Sequence, residues 1–380
     1  MGRHRDGVDW QAGMVPEAAV KAVQTCCLLA ALVAPGCTLT PDPRETLASL
    51  PDSVPAPDDN PTTPEAVELG RMLFWDPILS GPRDVACASC HHPDFAYTDG
   101  LAFPIGVGGR FISAARNTPT VLGTAFNGLT VDGQVPPERA QMFWDNRAES
   151  LEAQALGPLK NADEMRGTAY GEDEIMGELV TRLVGIPAYT TLFEAAFGAE
   201  SVNATNLAKA LAAFERTLVP RDSSFDRYMA GDDEAMTTSQ IRGLHGFILQ
   251  GCAGCHSGPM LSDYKLHNLE LPARLGEATY GESVFPEAEG GAFRTPSLRM
   301  VTRTAPYMHN GVFATLSETV DFYHNIDHHI KVDPLVEGDV EVAHGQGDDI
   351  LAFFEALSDG TFDTTIPERV PSGLPPAGGK

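Results

Sequence analysis

Cys87-Ala88-Ser89-Cys90-His91 and Cys252-Ala253-Gly254-Cys255-His256 decide how this chain is read. Each is a Cys-x-x-Cys-His pentad, the attachment pattern of haem c. The two cysteines form thioethers to the haem vinyls, and the histidine ligates the iron from one face. Four of the seven cysteines are used in this way. Structural zinc is the competing use of such pairs, but it joins two Cys-x-x-Cys units spaced roughly 15–20 residues apart. Here the two pairs lie in different halves of the chain. Two covalent haem c groups are therefore expected, one on Cys87, Cys90 and His91 and one on Cys252, Cys255 and His256.

Working outward, an amphipathic helix precedes each pentad. Thr63-Pro64-Glu65 gives a cap, a proline at the first helical position and an acid in the first turn. Leu69, Met72 and Leu73 then form an apolar face. In the second half Thr238 is expected to cap a helix carrying Ile241, Leu244 and Ile248. Helical spacing also marks residues 146–156 and 173–185. Leu207, Leu211, Phe214 and Leu218 mark a further helix, stopped by Pro220. Strand signals are scarce. The expected class is mostly α: two cytochrome c-like haem domains with long loops, related by internal duplication. The divisions predicted are 63–235 for the first haem domain, 236–365 for the second, a flexible linker at 38–62 and a flexible Pro/Gly-rich tail at 366–380.

The 380 residues are 43% hydrophobic and carry a formal net charge of −26. That excess of negative charge disfavours nucleic acid and anionic lipid, and it steers basic partner proteins toward the surface. Residues 1–37 read as an export signal whose apolar run, Cys26 to Ala34, is too short to span a bilayer. The run ends at Pro35-Gly36-Cys37, so either Cys37 is lipidated as in a bacterial lipoprotein or ordinary cleavage occurs nearby. The expected location is the periplasm, with membrane attachment only through such a lipid. No disulfide framework is available once the haem cysteines are used.

What fills the sixth position of each iron separates electron transfer from catalysis. No histidine occurs between His92 and His245. His92, beside the proximal ligand, cannot reach the opposite face. The first iron is therefore expected to be open, the alternative being Met142 or Met165 as a sixth ligand. The second half offers His267, Tyr307, Met308, His309, Tyr323, His324, His328 and His329, and residue counting does not choose among them.

Beyond the pentads, several strings resemble the bacterial di-haem cytochrome c peroxidases and the related MauG enzymes. They are Arg116-Asn117-Thr118-Pro119-Thr120, Phe143-Trp144-Asp145-Asn146-Arg147-Ala148, Gln154-Ala155-Leu156-Gly157-Pro158, Asp163-Glu164-Met165, Phe293-Arg294-Thr295-Pro296-Ser297-Leu298 and Thr304-Ala305-Pro306-Tyr307-Met308-His309-Asn310-Gly311. The resemblance runs from about residue 62 to 358 and keeps the motif order. It implies hydrogen peroxide as substrate. Electrons would come from a small c-type cytochrome or cupredoxin, or a partner protein would be oxidised. A homodimer is also within what it implies. Trp144 would relay charge between the haems, the plainer reading being a core tryptophan. Glu164 would move protons over the first haem, the plainer reading being a solvated surface acid. Gln154 and Pro158 would shape the same pocket. Asn117, with the carbonyls of Thr304 and Pro306, would hold calcium between the domains.

Two departures narrow the resemblance. Peroxidase members carry a distal histidine in the Gly-rich loop, whereas here it reads Gly106-Val107-Gly108-Gly109-Arg110, as in MauG. Counted from His309, the place of the second haem's methionine ligand falls on Tyr323, with Met308 as the rival. A third feature points away from MauG: the stretch Phe247-Ile248-Leu249-Gln250-Gly251 lacks that enzyme's surface tryptophan. The readings carried forward are a di-haem peroxidase, a MauG-like oxidase of a partner protein, and a non-catalytic di-haem electron-transfer cytochrome. Intact mass after periplasmic expression should exceed that of the processed polypeptide by two haem masses. One haem, or zinc in place of iron, would contradict the reading of the pentads.

Overall fold

A computed structural model describes residues 42–112, 116–269, 271, 291–324, 342 and 345–378. The expected signal, Cys37, His328 and His329 lie outside these residues. Helices dominate, as expected. In chain order they are α1 (Pro64–Trp75), the single turn α2 (Cys87–Cys90), α3 (Leu151–Lys160), α4 (Glu172–Val184), α5 (Pro187–Phe197), α6 (Ala204–Glu215), α7 (Ser224–Met229), α8 (Thr238–Leu249), α9 (Leu316–His324) and α10 (Gly347–Ala356). Two short antiparallel ladders accompany them. They pair β1 (Leu129–Thr130) with β2 (Gly133–Gln134) and β3 (Leu266–His267) with β4 (Phe293–Arg294). None of the described helices is long and apolar enough to cross a membrane.

Two apolar cores carry the two haem motifs. Leu69, Phe74, Leu211 and Phe214 belong to the first, and Leu244, Phe247, Ile350 and Phe353 to the second. In each, the helix ahead of the pentad crosses a later helix at a glycine. A Cβ on Gly70 of α1 would lie 1.9 Å from the Ala210 carbonyl oxygen of α6. A Cβ on Gly243 of α8 would lie 1.8 Å from the Asp349 carbonyl oxygen of α10. Only glycine lets the backbones approach so closely.

Local signals set most helix ends. The Thr63 hydroxyl accepts the Ala66 N–H at 3.2 Å. In the second half the cap is Thr237, not Thr238, because Thr237 and Gln240 form a reciprocal capping box. Helix α3 starts at Leu151 rather than 146, since Asn146 has a left-handed backbone with φ 58°. Helix α6 ends at Glu215, five residues before Pro220. There the N–H and hydroxyl of Thr217 both bond the Phe214 carbonyl, at 2.9 and 2.7 Å, and tighten the chain into a turn.

The structure corrects the two flanking segments. Residues 42–62 are not a free linker but a strap. Leu47 is buried in the second core, the Thr46 carbonyl accepts from Gly258 N at 2.9 Å, and Arg221 donates to the carbonyls of Pro51 and Asp52. Residues 366–378 are not frayed either. Val370 and Ala377 enter the first core, Ala377 N donates to the Trp75 carbonyl at 2.9 Å, and Ser372 Oγ donates to the buried Asp76 at 2.6 Å. Composition shows that these segments lack a helical period. It does not show that arginines and a buried carboxylate elsewhere satisfy their backbone. Phe225 of α7, ahead of residue 235, belongs to the second core.

Gly243→Ala should lower stability by about 1–3 kcal/mol through overpacking. Gly177→Ala on α4, where a Cβ meets nothing within 4 Å, should be neutral or stabilising by up to about 1 kcal/mol. Thermal melts of the pair check this, and equal melting of the two variants would contradict the crossing geometry.

Candidate haem cavities and active site

Each pentad opens onto its own cavity. Cys87, Cys90 and His91 line the first, and Cys252, Cys255 and His256 the second. The two histidines are held alike. His91 Nδ1 lies 3.0 Å from the Tyr97 carbonyl, and His256 Nδ1 lies 2.9 Å from the Leu261 carbonyl. A proton on Nδ1 makes both bonds and leaves Nε2 free to bind a metal. Burial pulls both imidazoles below their ordinary pKa, toward the neutral, ligating form. The sulfurs go the other way. Burial, then the Asp99 carboxylate, pushes Cys90 up to about 12, and burial pushes Cys252 up to about 12. Such sites suit uncharged thioethers and oppose the thiolates that zinc requires. The residues present therefore fit haem c.

Gln154, Pro158 and Glu164 line the first cavity together. Helix α3, capped by Ser150 on Ala153 N, supplies the first two. Glu164 sits in a π turn, Ala162–Arg166. Asn161 organises that turn: its Oδ1 accepts from Asp163 N and Glu164 N, and its Nδ2 donates to Glu164 Oε1 at 3.1 Å. Two glycines seat it. A Cβ on Gly106 would fall 1.8 Å from the Asp163 carbonyl oxygen, and one on Gly81 would fall 1.8 Å from that of Arg166. The histidine-free loop thus rests on the turn that carries Glu164. Burial raises the Glu164 pKa above the ordinary carboxyl range, while the Arg147 cation pulls it back. Met142 and Met165 also border this cavity. The Met142 sulfur takes a hydrogen bond from Asn127 Nδ2 at 3.1 Å, and Met165 belongs to the core.

Tyr323, Met308, His309, His267 and Tyr307 line the second cavity. Burial, then the neighbouring Cys252 and Cys255, holds the Tyr323 phenol above its ordinary value, so it ionises only beside a cation. His309 stacks on Phe293 with centroids 3.5 Å apart, and burial with the Arg116 cation drives its pKa to about 3. His267 Nε2 is 3.0 Å from Asp263 Oδ2. His324 turns away to the Val342 carbonyl. Thr304 and Pro306 border this cavity, and Asn117 borders both.

Trp144 is the one aromatic ring common to both linings among the described residues. Its Nε1 donates to the Asn117 carbonyl at 2.9 Å, and its own carbonyl accepts from Arg294 N at 2.7 Å. Beside it, Asp145 pairs with Arg116 at 2.9 Å and Arg147 at 2.8 Å. Sequence reasoning missed Asn161 and Glu215. Glu215 lies on the stripe of Leu207 and Leu211, four residues further on, and an acid on an apolar face is a signal that could have found it. It is buried on the first cavity, and burial, reinforced by Glu152 and opposed by Arg216, raises its pKa to about 8.

A sequence profile described as di-haem cytochrome c peroxidase matches residues 64–234. The methylamine utilization protein MauG of Methylorubrum extorquens is 37% identical over 332 residues, covering 84% of this chain and 85% of that protein. This chain belongs to the di-haem cytochrome c peroxidase and MauG family. A cytochrome-c peroxidase of Pseudomonas sp. strain SCT is 34% identical over 351 residues, covering 83% of this chain and 86% of that protein. A crystal structure titled as a MauG-like protein associated with microbial copper homeostasis aligns with a TM-score of 0.66 at 29% identity, covering 81% of this chain and 94% of that one. Family membership implies haem cofactors and supports an oxidoreductase.

Glu215 gives a pH prediction. Its native pKa of about 8 exceeds the ordinary 4.5, so the folded state holds the proton across that window. Stability should fall as pH rises from 4.5 to 8. Glu215→Gln should flatten that part of the pH–melting profile. An unchanged slope would show that Glu215 titrates normally.

Proposed function

We propose that this protein is an exported, periplasmic di-haem peroxidase that reduces hydrogen peroxide at the haem on His91. Electrons enter from a small c-type cytochrome or cupredoxin by way of the haem on His256. The observation that carries this reading is Glu164, a carboxyl group with a raised pKa on the first cavity, seated against a loop without histidine. Cys87, Cys90 and His91 would hold a haem there, which would supply an iron able to bind peroxide and accept its oxidising equivalents. Glu164 would take the proton from one peroxide oxygen and deliver it to the other, which would leave as water. Asn161 fixes the carboxyl group for that transfer. Gln154 and Pro158 shape the space beside it, and Trp144 passes charge through the wall between the cavities.

Tyr323 is assigned as the oxygen ligand of the second haem in preference to Met308, on the count from His309. An anionic oxygen ligand favours the oxidised metal. Asn117 Nδ2 donates to the Leu101 carbonyl, which leaves the amide oxygen to join the Thr304 and Pro306 carbonyls around calcium. Chelation should then lower the melting temperature, and an unchanged melt would remove calcium from the account. The paired helix crossings at Gly70 and Gly243 support an internal duplication. A MauG-like oxidation of a partner protein is kept as a second reading because of the 37% identity to MauG.

Glu164→Gln should lower peroxide turnover with reduced cytochrome c by about 10²–10⁴-fold at unchanged haem content. A variant within twofold of wild type would remove Glu164 from the chemistry. Wild-type protein that forms two haems but never oxidises cytochrome c would favour the second reading.

A further inference from the structure

Arg294 is a half-buried cation without a carboxylate partner among the described residues. Its Nη1 donates to the Gln141 carbonyl at 3.0 Å, its guanidinium lies 5.7 Å from the Tyr264 ring centroid, and its buried Nε has no partner. Among the described residues no carboxylate lies within ion-pair distance of it. Asp145, whose charge acts on Arg294, is already paired with Arg116 and Arg147. Burial lowers the Arg294 pKa, and the Tyr264 and Asp145 charges oppose that shift. A buried N–H left without a partner is costly, and a guanidinium fork is shaped for carboxylates.

Its position suggests which carboxylate. Arg294 lines both cavities. Its backbone N–H holds the carbonyl of Trp144, the ring between them. The group that each cavity fits carries two propionates. We infer that Arg294 is a shared anchor for haem propionates of both sites, so that one guanidinium charge sets the two haem potentials together. The inference rests on the two-haem reading but not on peroxide chemistry.

A positive charge beside a ferric/ferrous couple favours the ferrous state, which carries one positive charge fewer. In a low-dielectric interior a unit charge at about 10 Å changes such an equilibrium by roughly tenfold or more. Removing it should therefore lower both potentials. Arg294→Gln and Arg294→Lys, expressed as the full chain with haem attached, test this by spectroelectrochemical titration at pH 8, after haem content is confirmed by mass. In Arg294→Gln each ferric/ferrous equilibrium should shift at least tenfold toward ferric, which is 59 mV downward for a one-electron couple. Arg294→Lys, which keeps the charge, should move each by less than threefold.

A shift confined to one haem would overturn the shared anchor. So would no shift in Arg294→Gln, or a tenfold shift in Arg294→Lys. If Arg294→Gln does not fold, Arg294→Met removes the same charge in its place, with a shift of at least tenfold expected at both haems and its absence overturning the anchor. Absence of haem from the wild-type protein would instead sink the two-haem reading on which the inference stands.

Discussion

The hydrogen bond from the Trp144 indole N–H to the Asn117 carbonyl is the contact on which the rest of the molecule depends. It fixes the ring in a wall that two cavities share. The Arg294 N–H fixes the same residue from the other side, and the Asp145 carboxylate draws Arg116 and Arg147 together next to it. Trp144, Asn117 and Arg294 line both cavities.

The two cavities are built alike but furnished differently. Both hold a neutral histidine by its Nδ1 and enclose sulfurs that resist ionisation. The first carries Glu164, a carboxyl group kept near its proton by burial and oriented by Asn161. The second carries Tyr323 and His309, whose pKa burial moves in opposite directions, each toward the neutral form. On the proposed function, this asymmetry would separate a site for proton-coupled chemistry from one for holding charge.

Much of this is legible in the sequence, for local reasons. The pentads and the Thr63 cap follow from spacing and motif, whereas Gln154, Pro158 and Glu164 at the first cavity come only from the family resemblance. What cannot be read there depends on contacts between distant segments. The Pro-rich stretches at either end look flexible until Arg221 and Asp76 are seen to hold them. The isolation of Arg294 is visible only once Asp145 is found between two other arginines. Glu215 is the instructive miss. Helical spacing alone puts it on the stripe of Leu207 and Leu211, where an acid must be buried with the leucines around it.

The central claim is that the first iron is open to peroxide in the resting, fully oxidised protein, because the loop at Gly106–Arg110 brings no histidine and instead seats the turn of Glu164. The most direct measurement is stopped-flow mixing of fully oxidised holoprotein with one equivalent of hydrogen peroxide. The account predicts an immediate change in the haem spectrum with no reductant present. A spectrum that stays unchanged until an electron donor is added would show that another ligand closes the first iron, and would contradict it.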